Sequence, residues 1–267
     1  MTPAEDGVRL TRDGRLAILT LDNPPLNLLT APVLDILERH VAALATDPPR
    51  AVLVTAVGEV FSGGVDVATF HRGAAEDPPG QVARAQAEFA RHLTGLVVAL
   101  EALPCPTVAA VDGLCLTAAF ELVLACDLLV AAPAAQFGLV EATVGLTPAM
   151  GGTQRLAQRA GRARAAEAVL TGRIYDAATM HAWGVVTRLA DDAAASGQRL
   201  AQRLAQGPTQ AHAATRRVLA AWSDGGVGVA DAVTPSLAAG LFDTEDLPAG
   251  VASFLADGPG RAQFTGR

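Results

Sequence analysis

The sequence predicts an α/β core followed by a helical region. Three observations carry that prediction. In the first half, short apolar runs alternate with segments of helical periodicity. In the second half helical periodicity dominates, with one late apolar run near 184–190. The chain has 267 residues, 51% of them apolar, which suits one large domain or a domain with an appended unit. The division falls near residue 190, giving a core over 1–190 and a helical C-terminal region over 191–267.

Taken in order, "RLAILTLD" predicts a strand over 15–22, stopped by "NPP". Thr30 with Pro32 just inside opens a helix over 30–47, because proline suits the first helical turn. "RAVLVTAVG" is an unbroken apolar run and predicts a strand over 50–58, in a sheet covered on both faces. "VFSGGVD" predicts a glycine-bearing loop, and the polar stretch 71–80 predicts the least ordered one. A helix is expected over about 81–103, a buried strand over 106–113, and a helix from about Thr117 or Ala118. Strands are expected over 128–132 and 136–138, and helices through most of 147–173. A late strand over 184–190 precedes the C-terminal helices.

Composition narrows the function classes. The net charge of −7 weighs against a nucleic-acid partner. All 20 basic residues are arginine, so Schiff-base chemistry on a lysine is excluded. Cys105, Cys115 and Cys126 match no metal spacing and predict reduced, buried thiols in a cytoplasmic protein. Acidic residues and prolines interrupt the very apolar stretch 96–140, and no clean span of roughly 20 apolar residues is found, so no membrane helix and no membrane partner are expected. The five histidines show no ligand spacing, and no metal is expected.

Two strand-to-helix junctions and two carboxylates carry the chemistry. In "FSGGVD" the glycines at 63 and 64 permit positive φ and close approach of a ligand, and Asp66 can cap a following helix. An ordinary turn reads the same way. The segment is no nucleophile elbow, because Val60 stands where that motif needs glycine. In "GLCLTAAFELVLAC", 113–126, a helix starting near Ala118 would aim free N–H groups at whatever lies before it. Glu121 is the lone carboxylate there, and Glu141 lies in a second apolar segment. Each alone reads equally as a salt-bridged core residue. Together they suit a pair in which one carboxylate works as base while a neutral partner delivers a proton.

These segments resemble the crotonase family, the enoyl-CoA hydratase/isomerase superfamily. The resemblance spans about 8–267 and rests on "NPPLNLLT", "FSGGVDV", "PTVAAVDGLCLTAAFELVLACDLLVA", "AQFGLVEATVGLTPAMGGTQRLAQRAGRARAAEAVLTGR", "WGVVTRL" and "RAQFTGR". It implies a spiral of ββα turns with a C-terminal helical trimerisation region, assembled as a homotrimer or a dimer of trimers. It implies an acyl-CoA thioester as substrate and no separate cofactor. The oxyanion N–H groups fall on Val65 and Ala118, and the two hydratase glutamates on Glu121 and Glu141. Gly64, Asp66, Gly113 and Thr117 are expected to contact substrate. The implied reaction is hydration of the 2,3 double bond, with Glu121 activating water and Glu141 supplying the α-proton. A double-bond isomerase, another enolate-handling crotonase and a weakened acyl-CoA binder are the alternatives. Thr117-Ala118-Ala119 departs from the family's usual glycines. Arg261 and Arg267 are the only cations where many relatives place lysines beside the coenzyme A phosphates.

Overall fold

A computed structural model of the chain describes residues 7–66 and 79–267. Of the loop expected over 71–80, residues 71–78 lie outside the described residues, as does the helix that Asp66 was to cap, while Pro79 and Gly80 already belong to the next helix. The parts form two sheets. The first has six strands in the order β1-β2-β3-β5-β7-β10. These are β1 (Val8–Asp13), β2 (Leu16–Leu21), β3 (Ala51–Ala56), β5 (Thr107–Val111), β7 (Leu128–Ala131) and β10 (Arg188–Leu189). All neighbours are parallel except the β1–β2 hairpin. The second sheet runs β4-β6-β8-β9: Val60–Ser62, Leu114–Leu116, Gln136–Gly138 and Tyr175–Asp176.

The topology repeats. A strand of the first sheet feeds a short strand of the second, and a helix follows. Thus β3 and β4 precede α2 (Pro79–Glu101), and β5 and β6 precede α3 (Ala118–Leu124). The sequence hides the second strand of these two turns, whereas β8 is expected from it at 136–138. β4 and β6 are three residues long and follow glycine-bearing turns, so β4 reads as part of a loop. β1 was also missed, because "VRLTRD" is a half-exposed edge strand. The strand expected over 184–190 shrinks to Arg188–Leu189, because Val185 and Val186 N–H turn back to Met180 O.

β3 shows why its run is apolar throughout. Val52 and Val54 pack into the main core with α1 (Ala31–Thr46), while Ala51 and Leu53 pack into a second cluster with α7 (Ala193–Ala205). Both faces of the sheet are covered, as parallel sheets require. Gly197 of α7 lets that helix close on β5, where a Cβ would stand 2.6 Å from Ala110 Cβ. Between β8 and α7 come α4 (Gly152–Ala160), α5 (Arg162–Thr171) and α6 (Ala177–Ala182). Cys105, Cys115 and Cys126 are free and buried.

α8 (Thr209–Gly240) and α9 (Asp246–Asp257) complete the chain. Gly225 and Gly226 break α8 internally. Arg216 anchors its first half to the Asp127 carboxylate and to the Glu101 and Leu103 carbonyls. The stretch Thr209–Asp243 has the length and mean hydropathy, 1.2, of a membrane span. No membrane helix was expected in the chain; this stretch meets the measure by length and composition alone.

Candidate active site

Glu121 lies one turn into α3, a helix whose seven residues are all buried. Its own exposure is 2%. Oε2 accepts the N–H groups of Met150 at 2.9 Å and Gly152 at 2.6 Å. Those donors belong to the N-terminal end of α4, where unpaired N–H groups and the helix dipole favour a carboxylate. Gly152 has no room for a side chain, since a Cβ would stand 2.6 Å from Glu121 Cγ. Burial pushes the Glu121 carboxyl up to about 7, with the nearby Glu141 adding to the rise. The N–H bonds from Gly152 and Met150 oppose it.

Glu141 opens a one-turn 3-10 helix, Glu141–Val144, held by Thr143 bonding Val140 O through both its N–H and its hydroxyl. Its Oε2 is buried and has no hydrogen-bond partner among the described residues. Burial raises the proton affinity of this carboxyl as well.

Both glutamates line one cavity of about 500 Å³, together with Val65, Thr117 and Ala118. Its far wall is a face of α2. The cavity thus gathers five of the residues that the sequence singled out. Leu29 and Val65 form a parallel bridge in which Leu29 N–H binds Gly64 O. That leaves the Val65 N–H facing away from Leu29. Ala118 begins α3, and its N–H lies among the first-turn donors with no helical acceptor. Neither N–H donates to an acceptor among the described residues.

Other expectations land elsewhere. Gly64 has φ +87° and sits behind Thr117, whose Oγ1 occupies the space where a Cβ would stand. Gly113 (φ +68°) does not reach the cavity; it turns β5 into β6 with its Cα against the Glu59 carbonyl. Asp66 is likewise absent from the cavity's described lining. The C-terminal tail lies at the opposite end of β2. Arg15 binds Thr265 O, Arg50 binds Phe264 O, and Asp246 accepts from Thr265 and Gly266 N–H. Arg267 pairs with Glu245 at 3.3 Å. In this chain, therefore, the tail cations stand away from the chain's own cavity.

Thr117 holds the feature that the sequence left open. It adopts φ +49°, ψ −128°, a rare region for a β-branched residue. Its Oγ1 is buried without a partner among the described residues. Sequence reasoning also missed Asn27 and the Met150–Gly152 cradle. Asn27 ties its loop to the strand turn by donating from Nδ2 to Val57 O and Val60 O. Ser62 Oγ donates to Asn27 O and accepts from Gly64 N–H, a structural role. The available signal was "MGG" before a helical run. Among the described residues, no three His, Cys, Asp or Glu side chains cluster as a metal site.

Comparison with known proteins follows the same lines. The family model "Enoyl-CoA hydratase/isomerase" matches residues 11–262. A probable enoyl-CoA hydratase of Mycobacterium bovis is 32% identical over 260 residues, covering 93% of this chain and 94% of that protein. A peroxisomal fatty acid beta-oxidation multifunctional protein of Arabidopsis thaliana is 37% identical over 172 residues, 64% of this chain but only 23% of its own length. Among solved structures, a putative enoyl-CoA hydratase from Streptomyces coelicolor superposes with TM-score 0.90 at 28% identity, covering 100% of this chain and 97% of that one. One from Geobacillus kaustophilus gives 0.86 at 29%, covering 98% of both.

Proposed function

Because the chain belongs to the enoyl-CoA hydratase/isomerase family, we propose that it adds water across the 2,3 double bond of an acyl-CoA thioester. The observation that carries this reading is that Glu121 and Glu141 share one cavity with Val65 and Ala118. In the proposed mechanism the thioester oxygen sits between the N–H groups of Val65 and Ala118. Those donors stabilise the enolate-like charge that forms as water attacks the β-carbon.

The two carboxyls divide the proton work. Burial raises the proton affinity of both, and the charge of Glu141 adds to the rise at Glu121. By resemblance to the family, Glu121 is assigned the proton taken from water and Glu141 the proton delivered to the α-carbon. A carboxyl poised near 7 suits this exchange, because transfer is most efficient when affinity matches the working pH. The reaction needs no cofactor beyond the coenzyme A carried by the substrate.

The test is loss of enoyl-thioester absorbance when purified protein meets 2-enoyl-CoA. Glu141→Gln should lower kcat by at least about 100-fold, the scale of one positioned acid–base group. No absorbance loss with any chain length would sink the reading. Incorporation of solvent heavy oxygen separates hydration from isomerisation of the double bond.

The assembly proposed is a homotrimer or a dimer of trimers. Leu219, Trp222 and Val227 on α8, Phe242 beyond it, and Phe254 and Leu255 on α9 are exposed apolar side chains, the kind of surface that subunit contacts cover. Light scattering of the purified protein measures the mass. The cytoplasm is the proposed compartment, since three free thiols suit a reducing environment.

A further inference from the structure

The cavity is larger than the chemistry needs. Glu121, Glu141, Val65 and Ala118 account for four of its lining residues. The rest is an apolar chamber between one face of α2 and the 3-10 turn. Ala87 and Ala90 face it from the helix, and their small side chains leave it open. Leu93 lines it as well and is buried. At the lip, Val144 is 59% and Leu146 47% exposed, so the apolar lining runs out to the surface.

Volume decides between short and long occupants. At about 30 Å³ for a water-sized unit, the cavity of about 500 Å³ holds roughly 16 such units. A four-carbon enoyl group with its attacking water uses about five. A chain of about ten carbons covers the alanine face and reaches the lip.

Resting on the hydratase reading, we infer that this site is built for a medium-length acyl chain of about ten carbons. Ala87 and Ala90 set that length. The tail runs from the thioester between α2 and the 3-10 turn, and its end covers Val144 and Leu146. Each added methylene that enters the chamber should tighten binding by up to about fourfold.

Two measurements keep this inference separate from the reaction. Calorimetry with the saturated thioesters butyryl-CoA and decanoyl-CoA reads chain length without turnover. Decanoyl-CoA is expected to bind at least tenfold more tightly. Equal or weaker binding of decanoyl-CoA, or no binding of either, overturns the inference. Turnover of crotonyl-CoA and trans-2-decenoyl-CoA reads the reaction. Absent turnover with the length preference intact would remove the hydratase assignment and leave the chamber standing. Ala90→Trp, and Ala87→Trp at a more exposed position, should each cut the decanoyl-to-butyryl affinity ratio at least tenfold. Folding of each variant is checked by circular dichroism. An unchanged ratio in the folded variants would place the tail elsewhere and overturn the inference.

Discussion

The two strand-to-helix junctions solve one backbone problem in different ways. In the first, Gly64 takes φ +87° just before Val65. In the second, Thr117 takes φ +49° just before Ala118. A positive φ at that point turns the chain so that the next N–H faces away from its strand. Glycine adopts it freely, whereas threonine is strained there by about 1–3 kcal/mol. The junctions also touch, since Thr117 Oγ1 fills the space beside Gly64 Cα. The strain at one is therefore held in place by the absence of a side chain at the other.

The largest expected effect comes from breaking that contact. Gly64→Ala places a Cβ on Thr117 Oγ1 at a positive φ. A loss of more than about 3 kcal/mol is expected in denaturant unfolding, because overpacking and backbone strain add. Adding Thr117→Gly should recover part of it. No recovery would show that the two junctions are not mechanically linked.

Next is the pH dependence of Glu121. Its carboxyl sits at about 7 in the folded chain, against an ordinary value of 4.5. The folded state therefore holds the proton more tightly than the unfolded state. That contribution to stability is full below about pH 4.5 and is lost as pH rises through about 7. It amounts to at most about 3 kcal/mol. Glu121→Gln should flatten the stability profile over that window, as read by unfolding midpoints at several pH values. A parallel profile would mean that Glu121 does not titrate there.

Gly152→Ala tests the cradle rather than the carboxyl. The added Cβ meets Glu121 Cγ and Oε2, so the side chain must shift. Enoyl-CoA turnover should fall by about 100-fold, since misplacing a reacting group costs about that much. The smallest effect is Thr117→Gly alone. Relief of strain and removal of a buried hydroxyl with no partner among the described residues outweigh the chain entropy of a new glycine. Thermal unfolding should show a gain of about 1 kcal/mol. A loss would mean that the Thr117 side chain stabilises the second junction.

Legibility followed locality. Glu121 stood out as one carboxylate in an apolar run, and the doubled glycine beside Val65 marked the first junction. Both signals sit within a few neighbouring residues. The Met150 and Gly152 donors were not legible as partners of Glu121, because nothing near Glu121 names a helix that starts about 30 residues later. Gly113 was read as a substrate contact from its place in a motif, yet its positive φ serves a turn against Glu59. Asn27 went unread because the acceptors of its Nδ2, Val57 O and Val60 O, lie 30 and 33 residues later in the chain.

The sequence by itself determined the α/β class, most of the strands and helices, the family and the two candidate glutamates. Periodicity, turn residues and compact motifs are short-range properties, and a chain displays them without folding. Only the tertiary structure decided that Glu121 and Glu141, twenty residues apart, share a cavity. It also decided that Thr117 carries strain and that the tail arginines lie away from that cavity. Proton affinity depends on burial and on which N–H groups arrive from other elements. Those are set by long-range packing.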